Sequence, residues 1–254
     1  MVVGTPLHVL AVIPARYAST RFPGKMIAPL AGKPLVWHTY TRACQAASVH
    51  RAVVATDDER IADALRPLGV AVVMTRADHA SGTDRIAEVA AGDRAAIVVN
   101  VQGDEPLISP ATVDAAVNAL LAAPEAPMST VRRRITEPSA ISDPNVVKVV
   151  CDGRGRALYF SRHPIPYIRD EADRRGDPQC HWQHIGLYVY RRDFLLRYAQ
   201  MEQTPLERFE KLEQLRVLEN GYSIVVADTE HRCLGVDTPE DLERVRGWIE
   251  EKGL

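Results

Sequence analysis

No glycine-rich phosphate fingerprint of either common kind follows the first strand-like run of this chain. A Walker loop needs G-x-x-x-x-G-K-[ST], but the residue five before Gly24 is Ser19 and the one after Lys25 is Met26. The same turn lacks G-x-G-x-x-G, which excludes a nicotinamide dehydrogenase of the usual type. An excess of one charge is also missing: 31 Lys and Arg stand against 33 Asp and Glu, a formal net charge of −2. Nothing in that balance attracts nucleic acid, and any cationic site must be local. The four cysteines, Cys44, Cys151, Cys180 and Cys233, are far apart and form no C-x-x-C pair, so neither a zinc site nor a disulfide framework is expected. No apolar run approaches the length of a bilayer span, and the stretch up to Ile13 lacks the basic flank and long apolar core of a signal peptide. The expectation is a cytoplasmic protein with no membrane insertion. No repeat or low-complexity tract is visible.

What is present suits an enzyme-sized α/β protein. The 254 residues, 46% hydrophobic and 25% charged, can bury a sizeable core as one large domain or as a domain with a smaller lobe. The apolar run from His8 to Ile13 reads as a short buried strand. Behind it, Arg16, Arg21 and Lys25 lie among Ala15, Ala18, Ser19, Thr20 and Gly24. Small residues let backbone N–H groups approach a ligand, and amides clustered with cations suit a polyphosphate. The segment is either a triphosphate-holding loop or a solvated basic turn.

A βα rhythm follows. A helix opens at Pro34 and runs to about Ala47, a strand from Arg51 ends in Asp57 and Asp58, a helix covers about Glu59–Leu68, and a strand covers Val70–Met74. This alternation predicts a mostly parallel sheet, with ligands beyond the carboxyl ends of its strands. The polar segment Thr75–Arg85 occupies such a place, with Thr83 as the expected N-cap of the next helix. The run Ala95–Val101 predicts a central strand that stops at Gln102-Gly103-Asp104-Glu105-Pro106. Asp104 there could hold a hard cation such as Mg²⁺, which needs only one or two carboxylates, or simply belong to an Asp-Glu-Pro turn. Ser109-Pro110 caps a helix whose apolar stripe is Val113, Ala116, Val117, Leu120 and Leu121.

Beyond Pro127 the rhythm changes. Closely spaced strand-like runs, Met128–Ile135, Val146–Val150 and Ala157–Phe160, predict antiparallel pairing. Arg132-Arg133-Arg134 reads as a solvated face. The long polar segment His163–Gln183 suggests a lid or binding arm. His181 and His184 are three apart but have no third ligand near them in sequence, so His184 is read as a donor to a substrate oxygen. After a strand over Ile185–Tyr190 and a helix from about Arg192, a helix over Leu206–Asn220 is predicted. It would place Glu213 between Leu206 and Phe209 on the apolar side, either in an internal ion pair or as an acceptor for substrate hydroxyls. The last strand is Tyr222–Ala227. Thr238 then caps the terminal helix, leaving Asp237 as part of the capping turn or as a second metal ligand.

Six motifs, ARYASTR-x-PGK, TRADH-x-SGT, VQGDEP, ALYFSR, HIG-x-Y and GVDTPEDL, occur in this order along nearly the whole chain. The set resembles the CMP-Kdo synthetases (3-deoxy-manno-octulosonate cytidylyltransferases) of the sugar nucleotidyltransferase superfamily. The resemblance implies an α/β, Rossmann-like nucleotidyltransferase fold with a mostly parallel central sheet and a smaller antiparallel lobe for sugar binding and dimerisation. The core would span about 7–125 and 221–254, and the lobe about 128–220. The implied reaction transfers CMP from CTP to Kdo, for lipopolysaccharide synthesis. Arg16, Ser19 and Lys25 would hold the triphosphate, and Arg76, Ser81, Gly82 and Gln102 the base. Arg162 would grip the sugar carboxylate or a neighbouring oxygen, and His184, Tyr188, Glu213 and Gln214 the hydroxyls. Asp104 and Asp237 would carry Mg²⁺ and, with Arg16 and Lys25, form the catalytic group. A homodimer is implied as well. An 8-amino analogue of Kdo or sialic acid remains an alternative acceptor, and a non-catalytic nucleotide or sugar sensor an alternative of another class. Met26 after PGK, where proline is frequent, and the 169–179 loop depart from the family pattern.

Overall fold

β1 (Val9–Ala15) buries every side chain of VLAVIPA, because it is a central strand with both faces of the sheet covered. The computed structural model describes residues 7–19, 21–170 and 180–252. These divide into two units, one from Met1–Asp114, Arg191–Ala199 and Arg232–Leu254, the other from Ala115–Tyr190 and Gln200–His231.

In the first unit a short hairpin, β2 (Pro29–Leu30) and β3 (Lys33–Pro34), precedes α1 (Leu35–Gln45). β4 (Arg51–Thr56), α2 (Glu59–Leu65), β5 (Val72–Met74), α3 (Gly82–Ala91), β6 (Ile97–Val101) and α4 (Pro110–Ala122) follow, α4 running across the boundary into the second unit. The sheet order is β6-β1-β4-β5, with every pair parallel. Strands covered on both faces read as continuous apolar runs, as β1 and β6 do. Pro14 is tolerated in the central strand because the β6 pairing ends at Val12 opposite Asn100, so its missing N–H costs no bond to β6. The helix expected over Glu59–Leu68 changes to a 3-10 turn at Arg66–Leu68, since the ring of Pro67 cannot continue an α-helix.

In the second unit β7 (Met128–Arg134), α5 (Pro138–Ser142), β8 (Lys148–Cys151), β9 (Ala157–Ser161) and β10 (Trp182–Arg191) lead on. The pairs β7–β10, β8–β10 and β8–β9 are antiparallel, while β7 also pairs in parallel with the later β11 (Ile224–Asp228). That pairing draws β11, expected with the core, into the second unit. Arg132 and Arg134 are not simply solvated. Their guanidinium carbons stack 4.0 and 4.5 Å from the Trp182 ring centre, and Arg132 also donates to Asp228 at 2.7 Å.

Between β10 and β11, α6 (Arg192–Tyr198) belongs to the first unit and α7 (Pro205–Glu210) and α8 (Gln214–Glu219) to the second. The single helix expected over Leu206–Asn220 is therefore broken. Lys211 turns left-handed, with φ 54°, and Phe209 is 79% exposed rather than facing the core. The chain ends in α9 (Pro239–Lys252), whose Leu242, Val245 and Ile249 pack with Leu30, Leu35 and Val236 in the first unit.

Candidate active site

The cationic loop after β1 curls back on itself: the Gly24 amide donates to the Tyr17 carbonyl at 3.0 Å, and Gly24 adopts φ 71°. Glycine takes that left-handed conformation without a Cβ penalty. The turn carries Lys25 inward until it is 6% exposed. Arg16, Ser19, Lys25, Gly82 and Gln102 then line one cleft of about 690 Å³, so five positions from three distant motifs meet. Thr20 lies outside the described residues.

Lys25 is the hub of the charges. Its ammonium donates to Asp104 Oδ2 at 2.7 Å and to Asp237 Oδ1 at 3.2 Å. Arg21 reaches Asp237 Oδ2 at 3.1 Å. Asp104 arrives on the turn after β6, and Asp237 on the turn before α9. The Val236 amide, which donates to the Asp104 carbonyl at 2.9 Å, ties the two turns together. Asp237 is also fixed by its own backbone: Asp241 Oδ2 accepts from the amides of Asp237 and Thr238 at 2.9 and 3.0 Å. The cap and the site role are compatible.

Glu105, which the sequence reading did not assign, completes the group. Solvent reaches part of the residue, but its Oε2 is buried without a hydrogen-bond partner. Its carboxyl is pushed up to about 8, chiefly by burial, then by the charges of Asp104 and Asp237, with Lys25 opposing them. A Cβ at Gly235 would stand 3.0 Å from Glu105 Oε1, so a larger residue there would need the carboxyl to shift by a few tenths of an ångström. Its place directly beside Asp104 in the same turn was the available signal.

The base-side residues separate. Gly82 and Gln102 are in the cleft, and the Gln102 amide donates to Asn100 Oδ1 at 3.0 Å. Ser81, rather than Thr83, caps α3: its Oγ accepts from the Asp84 amide at 3.1 Å, and Asp84 accepts from the Ser81 amide at 2.9 Å. Thr83 is instead buried inside the first turn. Arg76 is not brought into the cleft. It pairs with Asp78 at 3.2 Å and lines a separate hollow of about 480 Å³ with His79, Asp84 and Glu88.

In the second unit four polar side chains form a continuous chain. Tyr188 Oη donates to Gln214 Oε1 at 3.1 Å, and the Gln214 amide nitrogen lies 3.5 Å from His184 Nδ1. His184 Nε2 lies 2.9 Å from Thr130 Oγ1, which donates onward to the Leu187 carbonyl at 2.7 Å. Because Thr130 spends its proton on Leu187, it accepts from His184 Nε2–H, and Nδ1 accepts from Gln214. Burial drives the His184 pKa down to about 3, so the ring is neutral. Burial, then the Glu213 charge, raises the Tyr188 phenol above its usual range. Both His184 nitrogens are engaged inside the fold, so it supports Gln214 and Tyr188 here rather than donating to a substrate oxygen. Thr130 was missed, since a threonine in a strand carries no signal of its own.

Arg162 likewise spends its fork internally. It donates to the carbonyls of Glu210 at 2.7 Å, Pro144 at 2.9 Å and Lys211 at 3.4 Å. Two of its nitrogens are thereby committed to the break between α7 and α8, and the third to the loop before β8. Of the polar His163–Gln183 segment, residues 171–179 lie outside the described residues. Among the described residues no group of three or more His, Cys, Asp or Glu side chains is arranged to hold a metal, and no helix is long and apolar enough to cross a membrane.

Comparison with known proteins places these features in a wider set. A family model described as cytidylyltransferase matches residues 10–224. A 3-deoxy-manno-octulosonate cytidylyltransferase from Solibacter usitatus is 56% identical over 240 residues, covering 94% of this chain and 94% of that protein. One from Syntrophotalea carbinolica is 56% identical over 247 residues, covering 96% and 99%. A solved structure of CMP:2-keto-3-deoxy-manno-octonic acid synthetase complexed with CTP is 41% identical, with a TM-score of 0.90 over 96% of this chain and 99% of that one.

Proposed function

This chain belongs to the cytidylyltransferase family, and from that premise we propose that it transfers CMP from CTP to 3-deoxy-manno-octulosonate, giving CMP-Kdo and pyrophosphate. The observation that carries the reading is the buried Lys25 ammonium, bonded to both Asp104 and Asp237 in the cleft that Arg16 and Ser19 also line. A cation at that place suits a triphosphate and the charge that builds on it during transfer.

The sugar's anomeric hydroxyl attacks the α-phosphorus in line with the leaving pyrophosphate. The new bond joins sugar oxygen to phosphorus, and the α–β phosphoanhydride bond breaks. Arg16 and Lys25 hold the phosphates and offset their charge, while Gly82 and Gln102 face the base. Tyr188, Glu213 and Gln214 orient the acceptor's hydroxyls. Arg162 holds the turn that presents Glu213 and Gln214.

Asp104 and Asp237 offer two hard oxygen donors already gathered around one positive group. That donor set fits Mg²⁺, which takes one or two carboxylates and completes its shell with water and phosphate oxygens. When bound, Mg²⁺ supplies charge neutralisation between the two anionic substrates. A homodimer, which the family resemblance implies, is part of the same proposal. A cytoplasmic location is supported by the use of CTP and by four cysteines that form no disulfide.

The test is pyrophosphate release in Mg²⁺, crossing CTP, UTP, ATP and dTTP against Kdo, its 8-amino analogue and sialic acid. Release confined to CTP with Kdo is expected. Release with CTP and only another acid sugar would replace the acceptor. Folded protein that binds CTP but releases nothing with any pair would be a sensor.

A further inference from the structure

Glu88 lies on α3 outside the nucleotide cleft, yet it organises one of the cations that line it. One carboxylate oxygen, Oε2, accepts from the Arg76 amide at 3.2 Å and pairs with His79 Nε2. The His79 side chain is 6% exposed, so burial and this bond fix its ring. The His79 carbonyl accepts in turn from Arg16 Nη2 at 3.1 Å. A helix carboxylate therefore holds the 76–79 loop, and the loop holds a guanidinium.

The arrangement leaves Arg16 able to work. A guanidinium has five N–H groups, and the His79 carbonyl engages one of its nitrogens. A free arginine loses considerable rotamer entropy when it grips a ligand, and a tether that pre-orients it removes part of that loss before binding. Burial alone would raise the Glu88 carboxyl, but the bonds from His79 and the Arg76 amide outweigh it and hold it below its ordinary value.

We propose that Glu88 is a positioning residue for nucleotide triphosphate binding, acting through the His79 carbonyl on Arg16. The inference rests on the reading of the cleft as a CTP site. Glu88 itself faces the separate hollow with Arg76 and Asp84, not the cleft.

The test is a double-mutant cycle in CTP binding, read by calorimetry without sugar on the full chain: wild type, Glu88→Ala, Arg16→Ala and the double variant, each with its melting temperature. Glu88→Ala is expected to weaken CTP binding roughly fivefold in the wild-type background and by less than about twofold once Arg16 is gone. An equal loss in both backgrounds, or no loss in the first, overturns the inference while leaving the CTP site standing. Failure of the wild type to bind CTP overturns the site and the inference together. If Glu88→Ala does not fold, the isosteric Glu88→Gln gives the same cycle with the same criteria.

Discussion

The Lys25 ammonium stands 2.7 Å from Asp104 Oδ2, and this pair joins the phosphate loop to the turn that ends β6. Each half is of limited use alone. Without Asp104 the buried lysine keeps only its longer bond to Asp237, at 3.2 Å, and without Lys25 the Asp104 charge would face that of Asp237 with the cation between them gone. Asp104→Asn should therefore cut pyrophosphate release by about 100-fold or more while the far-UV circular dichroism stays unchanged. Turnover within a factor of about three of wild type would remove Asp104 from the catalytic group.

Divalent metal is expected to be required, because Asp104 and Asp237 present oxygen donors beside the cleft proposed to hold the phosphates. Dialysis against EDTA should stop pyrophosphate release, and Mg²⁺ should restore it. Asp237→Asn should raise the Mg²⁺ concentration needed for half-maximal rate. Undiminished release in excess chelator would refute the metal assignment.

Gly103 precedes Asp104 and touches the strand that carries the phosphate loop. A Cβ there would stand 2.9 Å from the Pro14 carbonyl and 3.1 Å from Met26 Sδ. The carbonyl is backbone and cannot swing aside, so Gly103→Ala should shift the turn. We expect a loss of about 1–3 kcal/mol in urea unfolding, together with a fall in turnover. An alanine variant as stable and as active as wild type would show that the turn has room to spare.

His184 should make stability depend on acid pH. Its folded pKa, about 3, lies below the ordinary value of 6.5. Below pH 6.5 the unfolded chain binds a proton that the folded chain refuses. The stability contribution is therefore complete above about 6.5 and is lost as pH falls towards 3, by up to about 1.4 kcal/mol per pH unit. Urea unfolding between pH 7.5 and 4 should show this slope reduced by about one proton in His184→Gln. Identical slopes for both proteins would mean that the ring is not held neutral by burial.

Much of the architecture is local and was legible. β1 and β6 announce themselves as apolar runs because both their faces are covered, and the cations after β1 fall in a turn that small residues permit. The helix over Leu206–Asn220 was misread for a non-local reason. Its apolar spacing favours continuity, but Arg162, 49 positions before Lys211, takes the carbonyls of Glu210 and Lys211 and stabilises the break. His184 was assigned a substrate role because nothing beside it in sequence uses its nitrogens. Thr130 and Gln214, 54 and 30 positions away, use both.

The sequence by itself determined the alternation of strands and helices, the cationic loop and the order of the motifs, because these follow from periodicity, turn chemistry and short-range sterics. Tertiary structure alone decided which charges meet. Lys25 and Asp237 are 212 positions apart, and only the packing of α9 and the β6 turn beside the phosphate loop brings them within a hydrogen bond. The same packing removes water from Glu105, so its charge state is a property of the fold and not of the residue.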